Sequence, residues 1–95
     1  MSLPKFLQPC LASYDLNSLD IKRDKDIIIT EILNKGDEDS ISWLAQNYTK
    51  SEVKKVIESP IRGMWLKKTL EYWLKIFNVN KTDKKFERAI INING

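Results

Sequence analysis

Apolar residues recur mainly at three- and four-residue spacing along this chain, as in helices that turn one side toward a core. Ile21, Ile28, Ile29, Ile32 and Leu33 share such a side, and the spacing predicts a helix over residues 21–35. Asp20 can cap its start, Asp24 and Asp26 suit its positive end, and Lys35-Gly36 forms a stop. The β-branched run Ile27-Ile28-Ile29-Thr30 also fits a strand, but the continuation to Ile32 and Leu33 favours helix. A second helix over residues 38–48 carries Ile41, Leu44, Ala45 and Tyr48 on one stripe, with Trp43 off its centre and Asp37 or Asp39 as cap. Thr49-Lys50-Ser51-Glu52 then reads as a capping box opening a short helix with Val53, Val56 and Ile57, which ends near Ser59-Pro60.

The last major helix is predicted from residue 61 or 64 to residue 77. At 100° per residue, Lys67, Lys68, Glu71 and Lys75 cluster within about 100°. Trp65, Leu66, Leu70, Tyr72, Trp73, Leu74, Ile76 and Phe77 spread over about 200°, twice the arc one core needs. Such a helix is either central to the domain or has a second face for a partner. The second case makes Trp65, Tyr72, Trp73 and Ile76 the candidate protein interface, since aromatic side chains are frequent binding anchors. The competing reading puts Trp43, Trp65 and Trp73 in the core, with the two ends of the chain covering the excess. Residues 1–20 hold Phe6, Leu7, Cys10, Leu11, Tyr14, Leu16 and Leu19 between and beyond Pro4 and Pro9, an arm too apolar to float free. Residues 81–95 read as a charged tail in which Phe86, Ala89, Ile90 and Ile93 mark a further short amphipathic helix. The expected fold is therefore all-α: a compact single domain of four or five short helices over residues 1–80, with a helix-turn-helix-like pair and the tail behind it.

Composition narrows the function. A chain of 95 residues is one domain. No apolar run exceeds three residues, so no membrane span is expected. The start lacks a secretory pattern and Cys10 is the sole cysteine, which points to a reducing cytoplasm. The chain has no histidine, which removes the imidazole base, the Ser–His and Cys–His pairs and the His-ligated metal. The carboxylates and lysines that remain form no spaced constellation, so the expectation is a non-enzyme without cofactor or metal.

Charge is divided unevenly along the chain. Residues 1–49 hold eight acids against five bases, and residues 50–95 hold eleven bases against five acids. Lys50, Lys54, Lys55, Arg62, Lys67 and Lys68 are the candidate nucleic-acid contacts, with residues 40–58 as the helix pair and 52–58 as its reading helix. The pair lacks a turn glycine, its second helix is short, and Glu52 and Glu58 would repel phosphate. A purely solvated basic face is the plainer alternative.

The segment Tyr14-Asp15-Leu16, Leu19-Asp20-Ile21-Lys22-Arg23-Asp24-Lys25-Asp26-Ile27-Ile28 and Ile32-Leu33-Asn34-Lys35-Gly36-Asp37 resembles a group of short uncharacterised prokaryotic proteins. Their pattern continues into a Trp-Leu pair and a Tyr, matched by Trp43-Leu44 and Tyr48, then a short helix and an aromatic one like that around Trp73. Such proteins are often encoded beside nucleotidyltransferase-like toxins of the AbiEii type. The resemblance implies an antitoxin or toxin partner and covers about residues 14–77. Their arginine-bearing loop before the last helix is reduced here to Arg62, and the tail past Asn78 has no counterpart. The expected function is a non-catalytic protein-binding module, with a toxin of this kind or a second copy as partner. The alternative is a small DNA-binding regulator using residues 40–68.

Overall fold

The computed structural model describes residues 3–80 and 84–91. Among these, two 3-10 turns, Lys5–Leu7 and Leu16–Ser18, precede five helices: α1 Lys25–Lys35, α2 Glu38–Asn47, α3 Lys50–Glu58, α4 Lys67–Ile76 and α5 Lys84–Ala89. The one extended pairing among them is an isolated parallel bridge between Trp65 and Ile90. The radius of gyration is 13.0 Å, close to the roughly 12–13 Å of a compact domain this size. The all-α, single-domain expectation is met.

α1, not α4, is the central helix. It packs against α2, α3 and α4, and it buries Ile28, Ile29, Thr30, Ile32 and Leu33. The strand-like isoleucine run is therefore helical because its neighbours surround it on most sides. Thr30 removes its own polarity by donating its hydroxyl to the Asp26 carbonyl one turn back, at 2.6 Å. The helix starts four residues later than its spacing predicts. Asp20 accepts from the amides of Lys22 and Arg23 at 3.0 and 2.7 Å, and Asp24 accepts from the Asp20 amide at 2.8 Å. These two carboxylates stabilise a separate turn ahead of the helix. Gly36, in the left-handed region at φ 66°, ends α1 by donating its amide to Ile32 at 2.9 Å.

α2 is capped by Asp37, whose carboxylate accepts from the Ser40 amide at 2.9 Å. The capping box at α3 is present in both directions: Thr49 Oγ1 accepts from the Glu52 amide at 3.1 Å, and Glu52 accepts from the Thr49 amide at 2.9 Å. Only Tyr48 and Thr49 separate α2 from α3. Tyr48 fixes that corner by donating its hydroxyl to the Ile21 carbonyl at 2.7 Å. The N-terminal arm packs as expected, burying Leu3, Leu7, Cys10, Leu11 and Leu16. The Cys10 thiol donates toward Asp37 and Ser40, at 3.3 and 3.4 Å, which ties the arm to the start of α2.

Two expectations about the C-terminal half are corrected. The last major helix does not begin at residue 61 or 64, because Gly63 turns at φ 71° and Met64 to Leu66 are extended. The tail, too, is no appendage to a domain ending at residue 80. α5 buries Phe86 and Ala89 in the common core. The Trp65 amide donates to the Ala89 carbonyl, and the Ile91 amide donates to the Trp65 carbonyl, both at 2.8 Å. Ile90 lies in this bridge rather than in a helix, and Ile93 falls outside the described residues. On the other edge of the extended segment, Asn34 Nδ2 donates to the Met64 carbonyl at 2.7 Å and its Oδ1 accepts from the Leu66 amide at 3.2 Å. Its side-chain amide thus stands where the peptide group of a neighbouring strand would be.

Candidate functional site

α2 and α4 both rest on α1, and a channel remains between them with Leu33 of α1 at its floor. Trp73 lies midway along it. Toward the start of α4 the cavity is about 580 Å³, lined by Asn34, Lys35, Glu38, Ser42, Lys68 and Tyr72, among others. Toward the end of α4 it is about 290 Å³ and mostly apolar, with Leu44, Tyr48, Val53 and Phe77 beside Lys50. Leu33, Ile41 and Trp73 border both parts, so the two cavities adjoin at these residues.

The four residues of the candidate protein interface are divided by the structure. Tyr72 and Ile76 are 57% and 55% exposed. On a helical projection they lie roughly 160° from Leu70 and Leu74, which face the core. Trp73 is half-buried: its Nε1 donates to the Leu33 carbonyl at 3.2 Å, and its ring meets Tyr72 edge-on at 5.0 Å and Phe77 at 6.3 Å. Trp65 is not part of this surface. It is fully buried, because it precedes α4 in the extended segment that the tail closes over. The wide apolar arc was in part an artefact of extending a helical projection through Trp65 and Leu66, which are not helical. The tail covers Trp65 and leaves Tyr72 and Ile76 in solvent.

The six candidate nucleic-acid contacts are all exposed, but they do not form one strip. Lys68 and Lys50 border opposite ends of the channel. Lys55 borders a different cleft, shared with Asp26, Glu52 and Glu58, where Lys25 approaches Glu52 at 3.7 Å. Lys54 and Lys55 stand on the solvent side of α3 and Lys50 in its first turn beside the channel, while Lys67 stands in the first turn of α4 and Arg62 in the turn before it. Among the described residues no cluster of three or more metal-ligating side chains occurs.

The perturbed titrations are explained by structure rather than chemistry. Backbone hydrogen bonds hold the carboxyls of Asp20, Asp37 and Glu52 below their ordinary range, and Arg23 does so for Asp24. Burial pushes the Cys10 thiol and the Tyr48 hydroxyl upward. Glu31 is also raised by burial, against a hydrogen bond from Asn34 and the nearby Lys35. Of these groups only Tyr48 stands at a channel wall, and its hydroxyl is engaged by the Ile21 carbonyl.

Sequence reasoning missed the walls supplied by α1 and α2, namely Leu33, Asn34, Ile41 and Ser42. Ile41 was legible as an apolar position, but a residue that belongs both to a core stripe and to a channel wall gives no separate signal. The sequence profile of a family of unknown function, DUF6922, matches residues 6–57. The match takes in the arm and α1 to most of α3, so one wall of the channel lies inside it and α4 lies beyond it. No curated protein and no solved structure matches the chain. With more than half of its 95 residues inside that profile, the chain belongs to the DUF6922 family.

Proposed function

We propose that this protein is a non-catalytic protein-binding module, an antitoxin-like partner of a nucleotidyltransferase-like toxin, and that it binds through the α2–α4 channel. One observation carries the reading: Tyr72, exposed on the side of α4 away from the core, borders the α2–α4 channel, and the exposed Ile76 follows it one turn along the same helix. Grouped apolar surface of this kind on a small domain marks a place where another surface docks. A half-buried Trp73 beside them suits an anchor, since its indole N–H is already satisfied by Leu33 and nothing polar has to be desolvated. The lack of histidine supports a role without chemistry. The toxin as partner rests on the resemblance of residues 14–77.

Reading the neighbouring frame and co-expressing the chain with a nucleotidyltransferase-like toxin test this reading. The expected result is a stable complex that Tyr72→Ala weakens by about 2 kcal/mol, roughly thirty-fold in Kd. A complex unaffected by Tyr72→Ala and Ile76→Ala, or no complex, would overturn it. The second reading, a DNA-binding regulator using residues 40–68, is favoured by α3, where Lys50, Lys54 and Lys55 are all exposed. It requires duplex binding that weakens with salt at a slope of about −0.9 per phosphate neutralised.

A further inference from the structure

We infer that the occupant of the channel is an amphipathic helix from the partner, apolar on the side facing α1 and acidic toward both of its ends; this deepens the binding-module reading and rests on it. The shape argues for a helix. From Lys68 to Phe77 the α4 wall is about 14 Å long at 1.5 Å per residue, two to three turns of a docked helix. The walls are helices standing on a third helix, so the vacant position is that of one more helix in the same layer. Addition of a strand has no place to start. The extended segment at Met64 to Leu66 has one edge taken by the tail and the other by Asn34.

Charge argues for acidic ends. The charged side chains on the channel walls are Lys35, Lys50 and Lys68 against Glu38 alone. Lys35 and Lys68 stand at the wide end and Lys50 at the apolar end, so the acids of the occupant belong at both ends of its apolar stripe. The far compartment, walled by Leu44, Val53 and Phe77, requires an apolar anchor there. Tyr72 meets Trp73 at an interplanar angle of 85°, which leaves no parallel pair of rings between which a base would stack. This favours a helix over a single-stranded nucleic acid.

The test uses the full chain and two synthetic helical peptides with leucines at i, i+3, i+4 and i+7. One peptide is flanked by glutamates, and the other is identical with lysines in their place. Binding is read by backbone amide chemical shifts and by Trp73 fluorescence. The glutamate peptide is expected to bind about ten-fold or more tighter than the lysine peptide, with shifts confined to Leu33, Ile41 and α4. Lys35→Glu/Lys68→Glu should invert that preference. Equal affinities, no binding, or shifts on another face would overturn the inference. So would an oligothymidylate that displaces the glutamate peptide with higher affinity, or sedimentation showing a second copy of the chain seated on the same face. If the peptides fail while the toxin complex forms and is lost with Tyr72→Ala, the binding-module reading stands and only the helical, acidic occupant is refuted.

Discussion

Trp65 has no solvent exposure, and its Nε1 has no hydrogen-bond partner among the described residues. Two opposing terms therefore meet at one side chain. The indole fills the space between the core and the tail, and its N–H is desolvated without return. Replacement by alanine should cost about 3–5 kcal/mol through lost burial and the cavity left behind. A domain of this length has roughly 5–14 kcal/mol in total, so that single change removes about a fifth of it or more. Replacement by phenylalanine keeps a ring in place and removes the donor, whose unpaired burial costs about 1–3 kcal/mol. Relief of that penalty offsets the smaller cavity, so Trp65→Phe should lie within about 1 kcal/mol of the parent. Urea unfolding read by far-UV circular dichroism measures both variants, with Trp43 and Trp73 as fluorescent reporters of the same transition. A Trp65→Phe variant as damaged as Trp65→Ala would refute the unpaired-donor argument. A Trp65→Ala variant close to the parent would refute the claim that the tail closes a core.

Asn34→Ala removes the two hydrogen bonds that hold Met64 and Leu66, and a loss of about 1–3 kcal/mol is expected, with faster amide exchange at Leu66; unchanged exchange there would show that Asn34 does not set the start of α4. The depressed carboxyls of Asp20, Asp24, Asp37 and Glu52 stabilise the fold above their ordinary values of 3.8 and 4.5, and this is lost as pH falls through the folded values. The urea midpoint should therefore drop below about pH 4. Glu31, raised above its ordinary 4.5, has the opposite sign: protonation between the ordinary and the raised value adds stability. Glu31→Gln should raise the midpoint at neutral pH and steepen the net acid decline, and a variant less stable than the parent at neutral pH would show that the charged form is favoured.

What could be read from the sequence were features settled within a few residues. The capping box at Thr49 and Glu52, the Gly36 stop and the Ile41/Leu44/Tyr48 stripe depend on neighbours three or four positions away, and each is present. The misreadings share a different cause. Asp20 and Asp24 looked like a cap and a first-turn acid for one long helix, but their oxygens accept from the amides of a separate turn, a choice spacing alone does not decide. Gly63 was the visible sign that residues 61–66 would not be helical, and the Trp-Leu apolar pattern after it masked that sign. The role of the tail was illegible because its partner, Trp65, lies some twenty-five residues earlier, and the bridge between them is made of backbone groups, which every residue has. For the site, the exposed half of the prediction, Tyr72 and Ile76, was visible as surplus apolar arc. The α1 and α2 walls were not, because a channel is a relation between helices and no single periodicity records it.

The two functional readings call on surfaces that overlap little. The protein-binding reading uses the channel, with Tyr72, Trp73 and Ile76 along α4. The DNA reading uses the outer face of α3, where Lys54 and Lys55 stand and where Glu58 shares the same solvent side. Lys50 and Lys68 are common to both, Lys50 at the apolar end of the channel in the first turn of α3 and Lys68 at the wide end near the start of α4. Occupying the channel would leave Lys54 and Lys55 free, so a helix bound there need not displace a duplex on α3. An acidic helix would instead draw Lys50 and Lys68 away from phosphate and weaken duplex binding by about two contacts in the salt dependence. Coupling of that size is far smaller than direct competition for one basic surface would produce. The division of charge along the sequence is thus consistent with two faces, one apolar with basic ends and one basic with an acid in its middle, joined through Lys50 and Lys68.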